Sequence, residues 1–257
     1  SLGAITAYIA LMNTPSIRAE QLRSMRIVVI GGSPIAPAHL LAFRKRFGIT
    51  LQSCYGLTET TAPTHVTPRE QTTPVDPATG ALAIGVPYIG VNSRIVDDAG
   101  LALPPGEVGE IAISGPMVVP GYWQKPEETA NTFINGEMRT GDVGFMDEQG
   151  WFYIVDRKKD MIIASGYKVW PREVEGVLYA HCAVLEAAVV GVADEYRGES
   201  VKAFVSLRMG QGVTPQALIE HCREQLAAYK RPREVVIMDE LPKTASGKIL
   251  RRELRGI

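Results

Sequence analysis

The chain is poor in the residues that mark several large classes of protein. It has three cysteines, Cys54, Cys182 and Cys222, an odd number without metal-ligand spacing. This argues against a disulfide framework or a zinc motif and reads as reduced thiols in a cytoplasmic protein. Its four histidines, His39, His65, His181 and His221, form no ligand spacing either and read as surface or loop residues. Neither sign of charge dominates. Lys and Arg total 27 against 28 Asp and Glu, a formal net charge of −1, so bulk electrostatics favour neither nucleic acid nor an anionic membrane. No apolar run reaches the roughly 18 residues of a membrane span. The opening stretch SLGAITAYIALM is too short for one and lacks the basic flank of a signal peptide. No internal repeat is evident.

What is present is a globular composition, 46% hydrophobic and 21% charged, in 257 residues, enough for one or two domains. The β-rich run RIVVI (26–30) ends in Gly31-Gly32 and reads as a buried strand and turn. Residues 37–47 read as a helix with Leu40, Leu41, Phe43 and Phe47 apolar, and 51–55 as the next strand. A strand–turn–helix–strand order predicts a parallel sheet whose strand-end loops face a ligand. From about 67 to 120 Gly and Pro are frequent and short alternating runs (93–96, 110–114) predict small antiparallel strands, a barrel-like subdomain. VDDAG (96–100) and MDEQG (146–150) read as hairpin turns. Beyond residue 159 come a helix at 172–180 behind Pro171, strands at 184–194 and 201–208, and a helix at 215–226. The expected fold is α/β and α+β. Residues 1–158 would be the end of a parallel-sheet domain, with a βαβ segment (about 1–66) and a β-rich subdomain (about 67–158). Residues 159–257 would form a small mobile α+β domain.

Four stretches carry chemistry: YGLTET (55–60), RTGDVGFMDEQGWF (139–152), DRKKDMIIASGYKVWPREVE (156–175) and PKTASGKILRREL (242–254). In the last, Lys248 follows a glycine in a polar loop, a mobile charge suited to a phosphate or a reacting carboxylate. It is no phosphate-binding P-loop, because the positions for that motif's first glycine and its Ser/Thr hold Pro242 and Ile249. Without the other three stretches, a solvated basic tail would explain it as well.

In this order the four stretches resemble the adenylate-forming superfamily of acyl-CoA synthetases, luciferases and peptide-synthetase adenylation domains. The resemblance covers nearly the whole chain, from about Arg26 onward. YGLTE in place of YGPTE, and GYKVWPREVE after the hinge, look most like medium- or long-chain fatty acid ligases. The resemblance implies ATP-dependent activation of a carboxylic acid to acyl-AMP, with Mg²⁺, then transfer to CoA, in fatty acid and lipid metabolism. It implies that Gly32, Ser33 and Pro34 line the adenine and acyl pocket, and that Tyr55 stacks on adenine while Gly56 keeps the backbone clear. Thr58 would bond the α-phosphate, Glu59 would bind Mg²⁺, and Asp142 and Arg157 would contact the ribose. The domain hinge falls on Lys159, beside Asp160. Ser165 and Gly166 would enter the site for the thioester step, and Lys248 would act in adenylation. A lysine acetyltransferase acting on Lys248 is a further implied partner. The family's phosphate loop, TSGTTGxPKG, has no counterpart in residues 1–54. The expectation is therefore a chain that needs an N-terminal region of the same protein and is inactive alone. Two other readings stay open: an adenylating enzyme with a carrier protein or another acceptor, and a non-catalytic nucleotide-binding module.

Overall fold

The computed structural model describes every residue except Ser33, Pro34, Ala36, Ala62, Ala78 and 245–248. The chain forms two units, Ser1–Ile154 and Val155–Ile257, divided inside a strand a few residues before the boundary expected at 158.

In the first unit, strands β1 (Leu2–Gly3), β2 (Val28–Ile30) and β3 (Leu51–Tyr55) pair in parallel, with Leu2 opposite Val29 and Val28 opposite Leu51. Parallel neighbours need crossover connections, and helices α1 (Ile5–Asn13) and α2 (Pro37–Phe47) supply them. Phe43 and Phe47 share one face of α2 and are buried with Tyr8, Val28, Ile30 and Leu51. Tyr8 meets Phe43 edge-on at 5.6 Å. The apolar residues of α1 keep to no single face. Only Ile5 and Tyr8 are buried.

The sheet then continues with antiparallel strands. They are β4 (His65–Val66), β5 (Ala83–Pro87), β6 (Asn92–Val96), β7 (Gly109–Ser114), β8 (Phe133–Ile134), β9 (Glu137–Met146) and β10 (Phe152–Arg157), with helix α3 (Pro126–Thr132) before β8. From β3 the hydrogen-bonded order is β4, β5, β10, β9, β7, β6, with β8 on β9. Gly85 makes the junction possible. A Cβ there would lie 2.4–2.6 Å from the Val66 backbone, and its φ of +120° disfavours any L side chain. The turn at VDDAG forms as expected, with Asp97 Oδ1 accepting the Leu101 N–H.

The second unit has its own sheet. Strands β11 (Ile162–Ala164), β12 (Tyr167–Val169), β13 (Val184–Asp194) and β14 (Gly198–Leu207) run antiparallel in the order β12, β11, β14, β13, and β15 (Glu234–Ile237) pairs parallel to β14. Helix α4 (Pro171–Ala180) starts on proline with Glu173 in its first turn, as the helix dipole favours. Helix α5 (Pro215–Gln225) is capped by the Thr214 side chain, which accepts the Ala217 N–H. Strand β13 is almost uninterruptedly apolar because both its faces are covered. Ala187 and Val189 join Val174, Leu178 and Leu218 on one side. Ala188 and Val190 join Phe204, Leu241 and Leu254 on the other. The basic tail, ending in helix α6 (Arg251–Leu254), is therefore part of this core. Leu254 is fully buried, worth about 1.5–3 kcal/mol.

One histidine corrects the sequence reading. His39 and His221 are part-exposed on α2 and α5, but His65 is wholly buried in β4. Its ring packs 4.7 Å from Phe152 and 5.7 Å from Tyr55. His65 Nδ1 shares a hydrogen bond with Thr64 Oγ1, 3.0 Å away. Nε2 is buried with no partner among the described residues. Burial lowers the pKa of His65 from 6.5 to about 3. The folded chain thus holds it neutral, whereas the unfolded chain binds a proton below pH 6.5. Stability from this group is complete above pH 6.5 and is lost as pH falls toward 3, by at most about 1.4 kcal/mol per pH unit. Urea unfolding between pH 7 and 5 should show this loss, and His65→Leu should flatten it. An unchanged slope in the variant would exclude His65 as its source.

Candidate active site

Strand ends β2 and β3 lie side by side in the parallel part of the first unit, where ligands of open α/β sheets usually sit. Gly31 allows this closeness, since a Cβ would meet Cys54 Sγ at 2.6 Å and the Cys54 carbonyl oxygen at 2.8 Å. Gly32 follows with φ +82° and open space around it, a backbone that favours glycine. Ser33 and Pro34 lie outside the described residues.

Tyr55 is the last residue of β3. Its phenol donates to Asp142 Oδ2 at 2.7 Å, across 87 residues of sequence. Two residues expected to serve different parts of a nucleotide, base and ribose, are thus joined directly. The phenol tip is committed to Asp142, so the ring face is what Tyr55 can offer a base. Asp142 is only 4% exposed and sits inside the long strand β9, not in a turn. Around it, the Thr140 hydroxyl bonds the Ile111 carbonyl and accepts the Asp142 N–H. Glu110, 9% exposed, accepts the Gly141 N–H at 2.9 Å and pairs with Arg139 at 3.4 Å.

After the exposed Gly56 the chain makes a 3₁₀ turn, Thr58–Thr60. The Thr60 hydroxyl accepts the Leu57 N–H, which closes the turn and leaves Thr58 exposed at its start. Glu59 is half-buried and held twice. Its carbonyl accepts the Val119 N–H at 2.9 Å, and its Oε1 accepts the Tyr122 hydroxyl at 2.8 Å. Burial and the adjacent Glu59 carboxylate raise the Tyr122 pKa above the ordinary phenol value, which keeps it a donor. Tyr122 and Glu110 were missed in the sequence. Tyr122 stands in a Gly/Pro-rich stretch, PGYWQKP, with no local sign that it reaches Glu59, 63 residues earlier.

The remaining expected residues belong to the second unit. Arg157 ends β10, and Lys158 to Asp160 form a 3₁₀ turn with both lysines exposed. Ser165 (φ 54°) and Gly166 (φ 80°) form the two-residue turn of the β11–β12 hairpin, which closes on the pair Ala164 and Tyr167. Two successive left-handed residues are the type I′ geometry that suits such a hairpin. Both are exposed, and nothing lies within 4 Å of a Cβ placed on Gly166. Lys248 lies outside the described residues. Among the described residues, no group of three or more His, Cys, Asp or Glu side chains is placed to hold a metal ion unaided.

Two family models match the chain in succession: AMP-binding enzyme over residues 2–123, and AMP-binding enzyme C-terminal domain over residues 173–248. A long-chain-fatty-acid–CoA ligase of Bacillus subtilis is 43% identical over 98% of this chain and 44% of its own length. A fatty acid–[acyl-carrier-protein] ligase of Streptomyces coeruleorubidus is 41% identical over 95% of this chain and 47% of its own length. The ATP-bound crystal structure of MatB from Rhodopseudomonas palustris superposes with a TM-score of 0.91 at 32% identity, over 99% of this chain and 50% of that one. The chain thus spans about half the length of the relatives it matches. The motif order, the fold and these matches agree, and the chain belongs to the adenylate-forming superfamily, among its acyl- and aryl-CoA ligases.

Proposed function

We propose that this chain supplies the adenylate half-site and the mobile domain of an ATP-dependent acyl-CoA synthetase for medium- or long-chain fatty acids. The observation that carries the reading is the Tyr55–Asp142 hydrogen bond, which sets an aromatic face and a carboxylate together at the end of β3. A base stacks on the first, and a vicinal diol donates to the second. Gly32 and Gly56 keep backbone clear of the nucleotide, and Arg157 adds a contact to the ribose. The phosphate loop comes from a part of the protein that this chain does not include.

In the first half-reaction a carboxylate oxygen attacks the α-phosphorus of ATP, and pyrophosphate leaves. Thr58, exposed at the start of its turn, bonds the α-phosphate. Glu59 would hold Mg²⁺, which when bound would supply positive charge against the phosphates. The residues fit this role, since Mg²⁺ on a nucleotide takes one or two carboxylates beside phosphate oxygens, and Tyr122 fixes the orientation of this one. Lys248 stabilises the pentacoordinate transition state. The second unit then turns about Lys159 and brings the Ser165–Gly166 hairpin to the acyl-AMP, where the CoA thiol displaces AMP. A pivot needs backbone torsions that can change rather than a particular charge, and no special side chain is required of Lys159. The enzyme works in the cytoplasm, in lipid metabolism. A carrier-protein thiol in place of CoA is the second reading, favoured by the similarity to the Streptomyces ligase.

Calorimetric titration of this chain with a stable octanoyl-AMP mimic should show saturable binding, weakened at least about tenfold by Asp142→Ala, the scale of one lost charged hydrogen bond. Equal affinities would count against the half-site. In the whole protein, Lys248→Ala should slow pyrophosphate release by about 10²–10³-fold, as expected for one transition-state charge, and spare CoA attack on supplied acyl-AMP. Normal pyrophosphate release by the variant would refute the assignment.

A further inference from the structure

Within the second unit, residues from its two ends meet in a charge cluster. Arg251, the first residue of α6, sets Nη2 at 2.8 Å from each oxygen of Glu175 and Nε at 3.2 Å from one of them. Its Nη1 reaches Asp160 at 3.3 Å and Asp156 at 3.8 Å. One turn on, Arg255 donates to Asp160 at 2.9 Å and to the Lys159 carbonyl at 3.2 Å. The carboxylates are deeply set, with side-chain exposures of 0% for Asp156, 10% for Glu175 and 12% for Asp160. Each is anchored elsewhere or shared. Asp156 accepts the N–H groups of Arg157 and Arg172, Glu175 accepts that of Val189 in β13, and Asp160 binds both arginines.

Such a cluster is an expensive way to hold a fold. Desolvating charges offsets much of their attraction, and well-packed apolar side chains often do as well. Burial pushes the Asp156 and Glu175 carboxyls up, and Arg251 is the main group opposing it. What apolar side chains would not give is a directional link. The planar guanidinium grips Glu175 on two sides and still reaches the Asp156–Asp160 segment, which a lysine ammonium cannot do. The link runs between two places the mechanism uses. One is the peptide of Lys159, the pivot. The other is the chain just after Lys248, three residues before Arg251 in sequence. On either side of that lysine in sequence, Lys243 and Ile249 form a β-bridge and the Leu250 N–H donates to the Pro242 carbonyl at 2.8 Å.

We propose that Arg251 is a positioning residue for adenylation: its ion pairs with Glu175 and Asp160 fasten the segment that follows Lys248 to the chain just after the pivot, so that a turn about Lys159 moves both as one piece. This rests on the roles given to Lys248 and Lys159 above. It makes the lysine's arrival depend on a contact that the thioester step does not use.

The test measures two half-reactions separately in the whole protein: pyrophosphate release from ATP and an octanoate substrate, and CoA-dependent AMP release from supplied octanoyl-AMP. Arg251→Lys keeps the charge and loses the fork. Asp160→Asn is the second variant, kept in case the first fails to fold, which its thermal unfolding midpoint will report. Either variant should lower kcat for pyrophosphate release at least tenfold, leave KM for ATP within twofold, and leave the CoA step within threefold. Equal losses in both half-reactions, or an unchanged pyrophosphate rate, would overturn the proposal and leave the cluster a structural element. A wild-type protein that releases no pyrophosphate would overturn the functional reading beneath it. A wild type active in both steps, with variants impaired equally in both, would sink the lock alone.

Discussion

The first unit depends on a two-residue strand. β4 pairs with β3 on one side, Tyr55 opposite His65, and with β5 on the other, Val66 opposite Val86. In the described ladder order it is the strand that joins the parallel strands to the antiparallel ones. A ladder this short cannot hold register by itself, so other constraints fix it. Gly85 lets β5 come against Val66 with no side chain between. The buried His65 ring fills the space between Tyr55 and Phe152. The Tyr55–Asp142 bond then ties the end of β3 to β9, and the half-site follows from that closure. A slip of one residue would turn His65 outward and part the phenol from the carboxylate.

Much of this arrangement was legible as local pattern. The strand at 51–55, the helix at 37–47 and the strand at 184–194 match the expected bounds, because each is bracketed by Gly, Pro or polar residues and has apolar residues at the right period. YGLTE falls at a strand end as expected. The TGD stretch misleads locally, since a Gly-Asp pair usually marks a turn, yet Asp142 lies within a ten-residue strand. Partner contacts override the propensity there: β7 pairs with β9 around it.

What could not be read was long-range. Nothing near Tyr122 announces Glu59, and nothing near Arg251 announces Asp160, separated by 91 residues. His65 was misjudged for a related reason. A histidine between Thr64 and Val66 looks like any polar residue of a short strand, and its burial depends on Phe152 closing over it from another strand. The basic stretch 242–254, taken alone, likewise reads equally well as a solvated tail. Leu254 and Leu241 bury against β13, and the arginines turn to carboxylates instead of solvent. The charges were visible, but their partners were supplied by the fold.

Each unit closes its own core, and this bears on the proposal that the whole protein runs two half-reactions. Ile30, Phe43 and Leu51 pack within the first, and Val174, Val189 and Leu218 within the second. The proposed rotation between domains then needs neither unit's own core to be broken. For such a rotation to deliver a catalytic group, the moving body must be stiff from the pivot to the group it carries. Apolar packing gives stiffness across the β13 faces and holds Leu254 of the tail, but the turn at Lys158 and Lys159 is exposed and lies outside that packing. A multidentate guanidinium among buried carboxylates provides direction there, at a cost in desolvation that a purely structural element would have less reason to bear.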